Sequence, residues 1–157
     1  MTAMMKILVP IDFEGASDIA LTYGRSLAKA FGAELHVLHV MENQFLHLSF
    51  KSAAAVEAGI ANRMAERLTP EDRTSLHAVT ALRMSDEPSD EIIQYAELEG
   101  IDLIVMGTRG RAHPVRLLMG SVAERVVRMA PCPVLTVHHP EHEFVVPDVT
   151  ERSRISA

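Results

Sequence analysis

The sequence predicts an α/β domain built on a mostly parallel sheet, and three observations carry that reading. Five short apolar runs alternate strictly with four stretches of helical periodicity, with no internal repeat. A helix between every pair of strands is a crossover, and crossovers force neighbouring strands to run parallel. The apolar runs are close to continuous rather than alternating, as in strands covered on both faces.

Met5–Ile11 (Met-Lys-Ile-Leu-Val-Pro-Ile) is the first such run. Asp12 stands at its carboxyl end and opens the loop Phe13–Ser17. The first helix carries Ile19, Tyr23, Leu27, Ala30 and Phe31 at helical spacing, with Gly32 placed to end it. Ala33–Met41 is the second strand, and Asn43–Phe50 is irregular. Val56, Ile60, Met64 and Leu68 form the stripe of a second helix that stops before Pro70. Ser75–Leu82 reads as the third strand. Pro88 suits a first helical turn, and the helix presents Ile92, Ile93 and Ala96 before Gly100. Ile101–Met106 is the fourth strand, Val122–Ala130 the last helix and Pro133–Val137 the fifth strand.

A chain of 157 residues with 48% hydrophobic content supports one globular domain over 1–157, its core at about 5–138. The polar, proline-containing residues 139–157 read as an arm. No apolar run is long enough to insert into a membrane. The first residues lack the parts of a secretion signal, so the expected compartment is the cytoplasm. A net charge of −6 argues against a nucleic-acid partner. The lone Cys132, between two prolines, reads as a small buried hydrophobe. His36 and His39 in strand two read as packed or edge residues. His138, His139 and His142 read as a solvated cluster rather than a metal site, and no protein metal ligands are expected.

The informative stretch is Gly107–Ser121, between the fourth strand and the last helix. Glycines there can bring bare backbone N–H groups against an anion, with the positive end of a helix behind them. The alternative is a long connection whose glycines only make turns. From Arg109 to Arg128 five arginines face one acid, so this window carries +4 and leaves −10 for the rest of the chain. An anionic ligand beside Arg109 and the glycines fits that distribution. Ser121-Val-Ala-Glu124 has the form of a capping box, so Ser121 is expected to cap the last helix, to touch a ligand, or both.

Ligands of open parallel sheets bind beyond the carboxyl ends of the strands, where the strand order reverses. If strands one and four are neighbours, Asp12 and Gly107 meet there, a carboxylate for a ribose or base beside a loop for phosphates. The loop lacks the lysine of a P-loop and follows the wrong strand for a dinucleotide fingerprint. The last lysine is Lys51, which suits a phospho-accepting receiver poorly, and no nucleophile elbow is present.

Taken together these residues resemble the universal stress protein family, in its ATP-binding branch. The family motif Gly-x2-Gly-x9-Gly-Ser/Thr is matched by Gly107, Gly110, Gly120 and Ser121. The likeness extends to Val-Pro-Ile-Asp at 9–12, Asp-Leu-Ile-Val-Met-Gly at 102–107, Gly-Ser-Val-Ala-Glu at 120–124 and Cys-Pro-Val-Leu at 132–135. It implies a Rossmann-like sheet of order 3-2-1-4-5 and a homodimer paired through the fifth strand, Val134–Val137. It also implies that Pro10 and Asp12 flank the adenosine, that Val40 offers backbone groups to the adenine, and that Met106 and Gly107 line the ribose. Gly110, Gly120, Ser121 and Val122 would hold the triphosphate, and Mg²⁺ or Mn²⁺ would travel with the phosphates. The sequence departs from relatives at Ala112-His-Pro114, where a Thr-Gly-like pair is frequent.

Three functions follow as expectations. The first is a nucleotide-dependent signalling or stress-response regulator that acts through its dimer or an unknown protein partner. The second is a slow ATPase or nucleotidyl-transfer enzyme. The third is a dimeric interaction module that binds no nucleotide, a reading the intact glycine motif opposes.

Overall fold

A computed structural model describes residues 5–43, 50–108 and 119–138 of the chain. In order they form β1 (Lys6–Pro10), α1 (Gly15–Phe31), β2 (Glu34–Met41), α2 (Phe50–Glu66), α3 (Pro70–Ser75), β3 (Val79–Met84), α4 (Pro88–Glu99), β4 (Leu103–Gly107), α5 (Ser121–Met129) and β5 (Val134–Val137). All strand pairs are parallel and the sheet order is β3-β2-β1-β4-β5. The expected topology is therefore the observed one.

The pleat divides each strand between two cores. Ile7, Val9, Leu35, Val37 and Val105 point to one face, where Ala20, Leu21 and Ala28 of α1 and Met64 of α2 cover them. Leu8, Leu38, Ile104 and Met106 point to the other, under Ile92, Tyr95 and Ala96 of α4 and Ala123 and Val126 of α5. Ile7, Leu8 and Val9 have no exposed surface, which is why β1 reads as an unbroken apolar run. Gly32 and Gly100 end α1 and α4 in the left-handed conformation, with φ of 63° and 65°.

Two expectations need correcting. The third strand starts at Val79 rather than Ser75, because Pro70 opens a helix instead of merely closing one. In α3 the Thr69 hydroxyl accepts the Asp72 N–H at 3.1 Å, and the Asp72 carboxylate accepts the Thr69 N–H at 2.9 Å, a complete capping box. Asp72 is fully buried, and Arg25 Nε on α1 donates to both of its oxygens at 2.8 and 2.9 Å. Burial pushes the Asp72 carboxyl up, but the Arg25 and Thr69 hydrogen bonds outweigh it and hold the group below its ordinary range. The second correction is at α5. Its N-cap is Gly120, with no side-chain cap, so Ser121 is the first helical residue and caps nothing. Glu124 instead accepts from Arg128 at 2.8 Å.

His36 is also buried. Its Nε2–H donates to Glu34 at 2.6 Å and its Nδ1 pairs with the Tyr95 hydroxyl at 2.7 Å, joining β2 to α4. Desolvation lifts the Tyr95 phenol to about 12.

Candidate functional site

β1 is flanked by β2 on one side and β4 on the other, so the chain winds outward in opposite directions from this pair. In open parallel sheets the ligand crevice lies at the carboxyl ends of such a pair. Asp12 leaves β1 there and Gly107 ends β4 there. A side chain at Gly107 has no room: its Cβ would lie 2.8 Å from the Ala16 Cβ and 2.9 Å from the Ala16 carbonyl carbon. The start of α1 thus packs on bare backbone at the end of β4.

The turn after β1 is held by its own polar groups. The Asp12 N–H donates to Ser17 Oγ at 3.2 Å, and Asp12 Oδ1 accepts the Glu14 N–H at 2.9 Å. Ser17 in turn donates to the Glu14 carbonyl at 3.1 Å. Asp12 itself is exposed. Phe13 takes φ of 65°, a conformation that bulky residues rarely adopt. Its ring meets the His39 ring at 4.7 Å and carries the guanidinium groups of Arg63 and Arg67 at 4.1 and 4.7 Å.

Val40 stands near the end of β2, and the direction of its backbone follows from its neighbours. The Ile11 N–H donates to the Leu38 carbonyl at 2.8 Å, so the even-numbered residues of β2 face β1. The Met41 carbonyl accepts the Ser85 N–H at 2.9 Å, so the odd-numbered residues face the β3 side. Val40 therefore turns its N–H and C=O toward a lane that β1 has left after Pro10. His39 Nδ1 donates to the Ile11 carbonyl at 2.7 Å. Desolvation lowers the His39 pKa, against the opposing pull of the Ile11 hydrogen bond.

On the β4 side Met106 is buried and Gly107 half-buried. Thr108 closes the neck of the following loop. It is buried, its N–H donates to the Val137 carbonyl at 3.0 Å, and its own carbonyl accepts the Gly120 N–H at 2.6 Å. Its hydroxyl also lies 3.1 Å from His138 Nδ1. The ends at Thr108 and Gly120 are thereby pinned together beside α5, whose first turn presents N–H groups that no described side chain caps. Ser121 is exposed there and Val122 half-buried. Arg109 and Gly110 lie outside the described residues.

Pro10, Asp12, Val40, Gly107, Gly120 and Ser121 are thus brought to one end of the sheet. The arginine excess is not all at that crevice: Arg125 pairs with Asp90 at 2.9 Å and Arg128 with Glu124 on exposed surface. Sequence reading missed His39, Phe13 and Thr108 as shapers of the site. Thr108 carried the one available signal, a hydroxyl directly after the strand-ending glycine.

Comparison with known proteins places these features in context. Residues 4–138 match the universal stress protein family. A universal stress protein of Methanocaldococcus jannaschii is 33% identical over 146 residues, covering 88% of this chain and 84% of that protein. The solved structure of the universal stress protein UspA from Lactobacillus plantarum superposes with a TM-score of 0.71 at 29% identity, covering 87% of this chain and 99% of that one. Two more distant solved structures share the fold. One is a universal stress protein in complex with cAMP, at 21% identity and a TM-score of 0.58, covering 87% of this chain and 98% of its own. The other is an Archaeoglobus fulgidus universal stress protein in complex with dAMP, at 18% identity and a TM-score of 0.60, covering 87% and 99%.

Proposed function

The chain belongs to the universal stress protein family, and from that premise we propose that it binds ATP and regulates a partner or its own dimer according to nucleotide state. The observation that carries this reading is the meeting of Asp12 and Gly107 at the β1–β4 switch point, with the uncapped start of α5 behind them. Relatives in complex with cAMP and dAMP support an adenine nucleotide as the ligand.

In this reading Asp12, with Oδ1 committed to Glu14, offers its other oxygen to the ribose or base. Pro10 and Met106 wall the adenosine, and Val40 meets the adenine through its backbone. Gly107 lets the chain approach the ribose closely, while Gly110, Gly120, Ser121 and Val122 hold phosphates and Arg109 adds charge. Mg²⁺ or Mn²⁺ enters on the phosphates rather than in a protein cage. We assign Asp12 to holding ligand rather than to activating water, and expect hydrolysis to be slow. Dimer pairing goes through β5, a four-residue edge strand whose Leu135 is 38% exposed. No helix among the described residues is long and apolar enough to cross a membrane.

The test is mass spectrometry of nucleotide released from the purified chain, followed by titration of the stripped protein with Mg-ATP. The expected result is released adenine nucleotide, saturable binding, and its loss in Gly110→Val. A wild type that carries and binds no adenine nucleotide rules the proposal out.

A further inference from the structure

We propose that His39 is a positioning residue for the base edge of the crevice: it takes the Ile11 carbonyl that would otherwise accept the next β1–β2 rung, and so leaves the Val40 N–H and C=O open to a purine. The proposal rests on the nucleotide-binding reading and extends it to how the base is selected.

The rungs of a parallel pair follow a fixed rule. A residue whose N–H donates to residue j−1 of the next strand accepts, through its own carbonyl, from the N–H of residue j+1. The Ile11 N–H donates to the Leu38 carbonyl, so the following rung should run from the Val40 N–H to the Ile11 carbonyl. That rung is not made. His39 Nδ1 holds the Ile11 carbonyl at 2.7 Å instead. The imidazole reaches it because His39 lies on the α1/α2 face, and Phe13, forced to positive φ by the tight turn, packs against it at 4.7 Å. The Arg63 guanidinium lies over the same Phe13 ring, 4.1 Å from its centroid. One side chain thus ends the ladder and leaves the N–H and C=O of Val40 without a strand partner among the described residues.

That pair has a definite preference. An N–H and a C=O side by side complement a base edge with a ring-nitrogen acceptor next to an amino donor, as in adenine. Guanine presents the reverse, a ring N–H next to a carbonyl, and would leave both sides unsatisfied. The base selectivity of the site therefore depends on a rung that His39 prevents.

Two measurements on the full chain test this. In the nucleotide-free wild type, amide exchange by NMR should show Val40 exchanging much faster than Leu38, whose N–H lies within the β1–β2 ladder. In His39→Leu the ladder should gain its missing rung: the Val40 amide becomes protected, Mg-ATP binds about tenfold more weakly, and the preference for ATP over GTP shrinks. His39→Asn places an amide N–H where Nδ1 stood and should retain wild-type exchange and selectivity. A Val40 amide as protected as Leu38 in the wild type overturns the proposal whatever the variants do. So does His39→Leu with wild-type affinity and wild-type selectivity. If the wild type binds neither nucleotide, the purine role falls together with the nucleotide-binding reading, whereas the Val40 amide still reports on the rung by itself.

Discussion

The helices α3 and α5 begin in opposite ways. At α3, Thr69 and Asp72 satisfy each other's backbone N–H groups, Pro70 occupies the first turn without needing a partner, and Arg25 neutralises the buried carboxylate. At α5, Gly120 starts the helix with nothing but backbone, and Ser121 leaves its hydroxyl uncommitted to capping. A helix start serves stability when its orphan donors are satisfied internally and can serve binding when they are not. Both kinds occur in this one chain.

The largest effect that would break this contrast is at Asp72. Asp72→Ala leaves Arg25 without its carboxylate and removes half of the capping box, and is expected to cost about 3 kcal/mol in urea unfolding while leaving nucleotide affinity unchanged. A loss below about 1 kcal/mol would mean that α3 contributes little to holding the domain together. The same group sets an acid limb. The folded-state pKa of Asp72 lies below its unfolded value, so its contribution is fully present above about pH 4 and is lost as pH falls through the lower folded value. Denaturation midpoints followed from pH 6 to pH 2 should fall less steeply in Asp72→Ala than in the wild type.

Smaller and sharper is a paired comparison at the caps. Thr69→Ala should cost about 1 kcal/mol, the usual value of an N-cap hydroxyl. Ser121→Ala, at a first helical position without a capping bond, should stay within about 0.5 kcal/mol of the wild type and instead weaken Mg-ATP binding about tenfold. Equal stability losses at the two sites would erase the difference between the two helix starts.

Most of the architecture was legible because it rests on periodicity and punctuation. β1 after Lys6 and all of β4 are apolar because both faces are covered, and Gly32, Pro88 and Gly100 stand where helix ends require them. α3 escaped because six residues are too few to show a stripe, and its one signal, Thr69-Pro-x-Asp72, lay where a proline suggested only an ending. The capping box at Ser121 was misplaced by one residue for a related reason. The four-residue pattern is local, whereas the cap is set by where the backbone turns extended, and Gly120, with ψ of 154°, makes that turn. At the site, Asp12 and Gly107 were readable from their positions at strand ends. His39 and Thr108 were not, because they act through long-range bonds to backbone groups or across a loop neck, which leave no repeating trace in the chain.

The central place of β1 has a consequence for how the protein comes into being. During synthesis β1 can pair with β2 almost at once, but its other edge is completed only by β4, joined to it at the Lys6–Asp102 hydrogen bond across 96 positions. Pairing at such separation is slow to form, and until it does the nascent chain carries an open, largely apolar strand edge. The crevice belongs to the final stage of folding, so whatever fills it can bind only a nearly complete molecule and draws the equilibrium toward it.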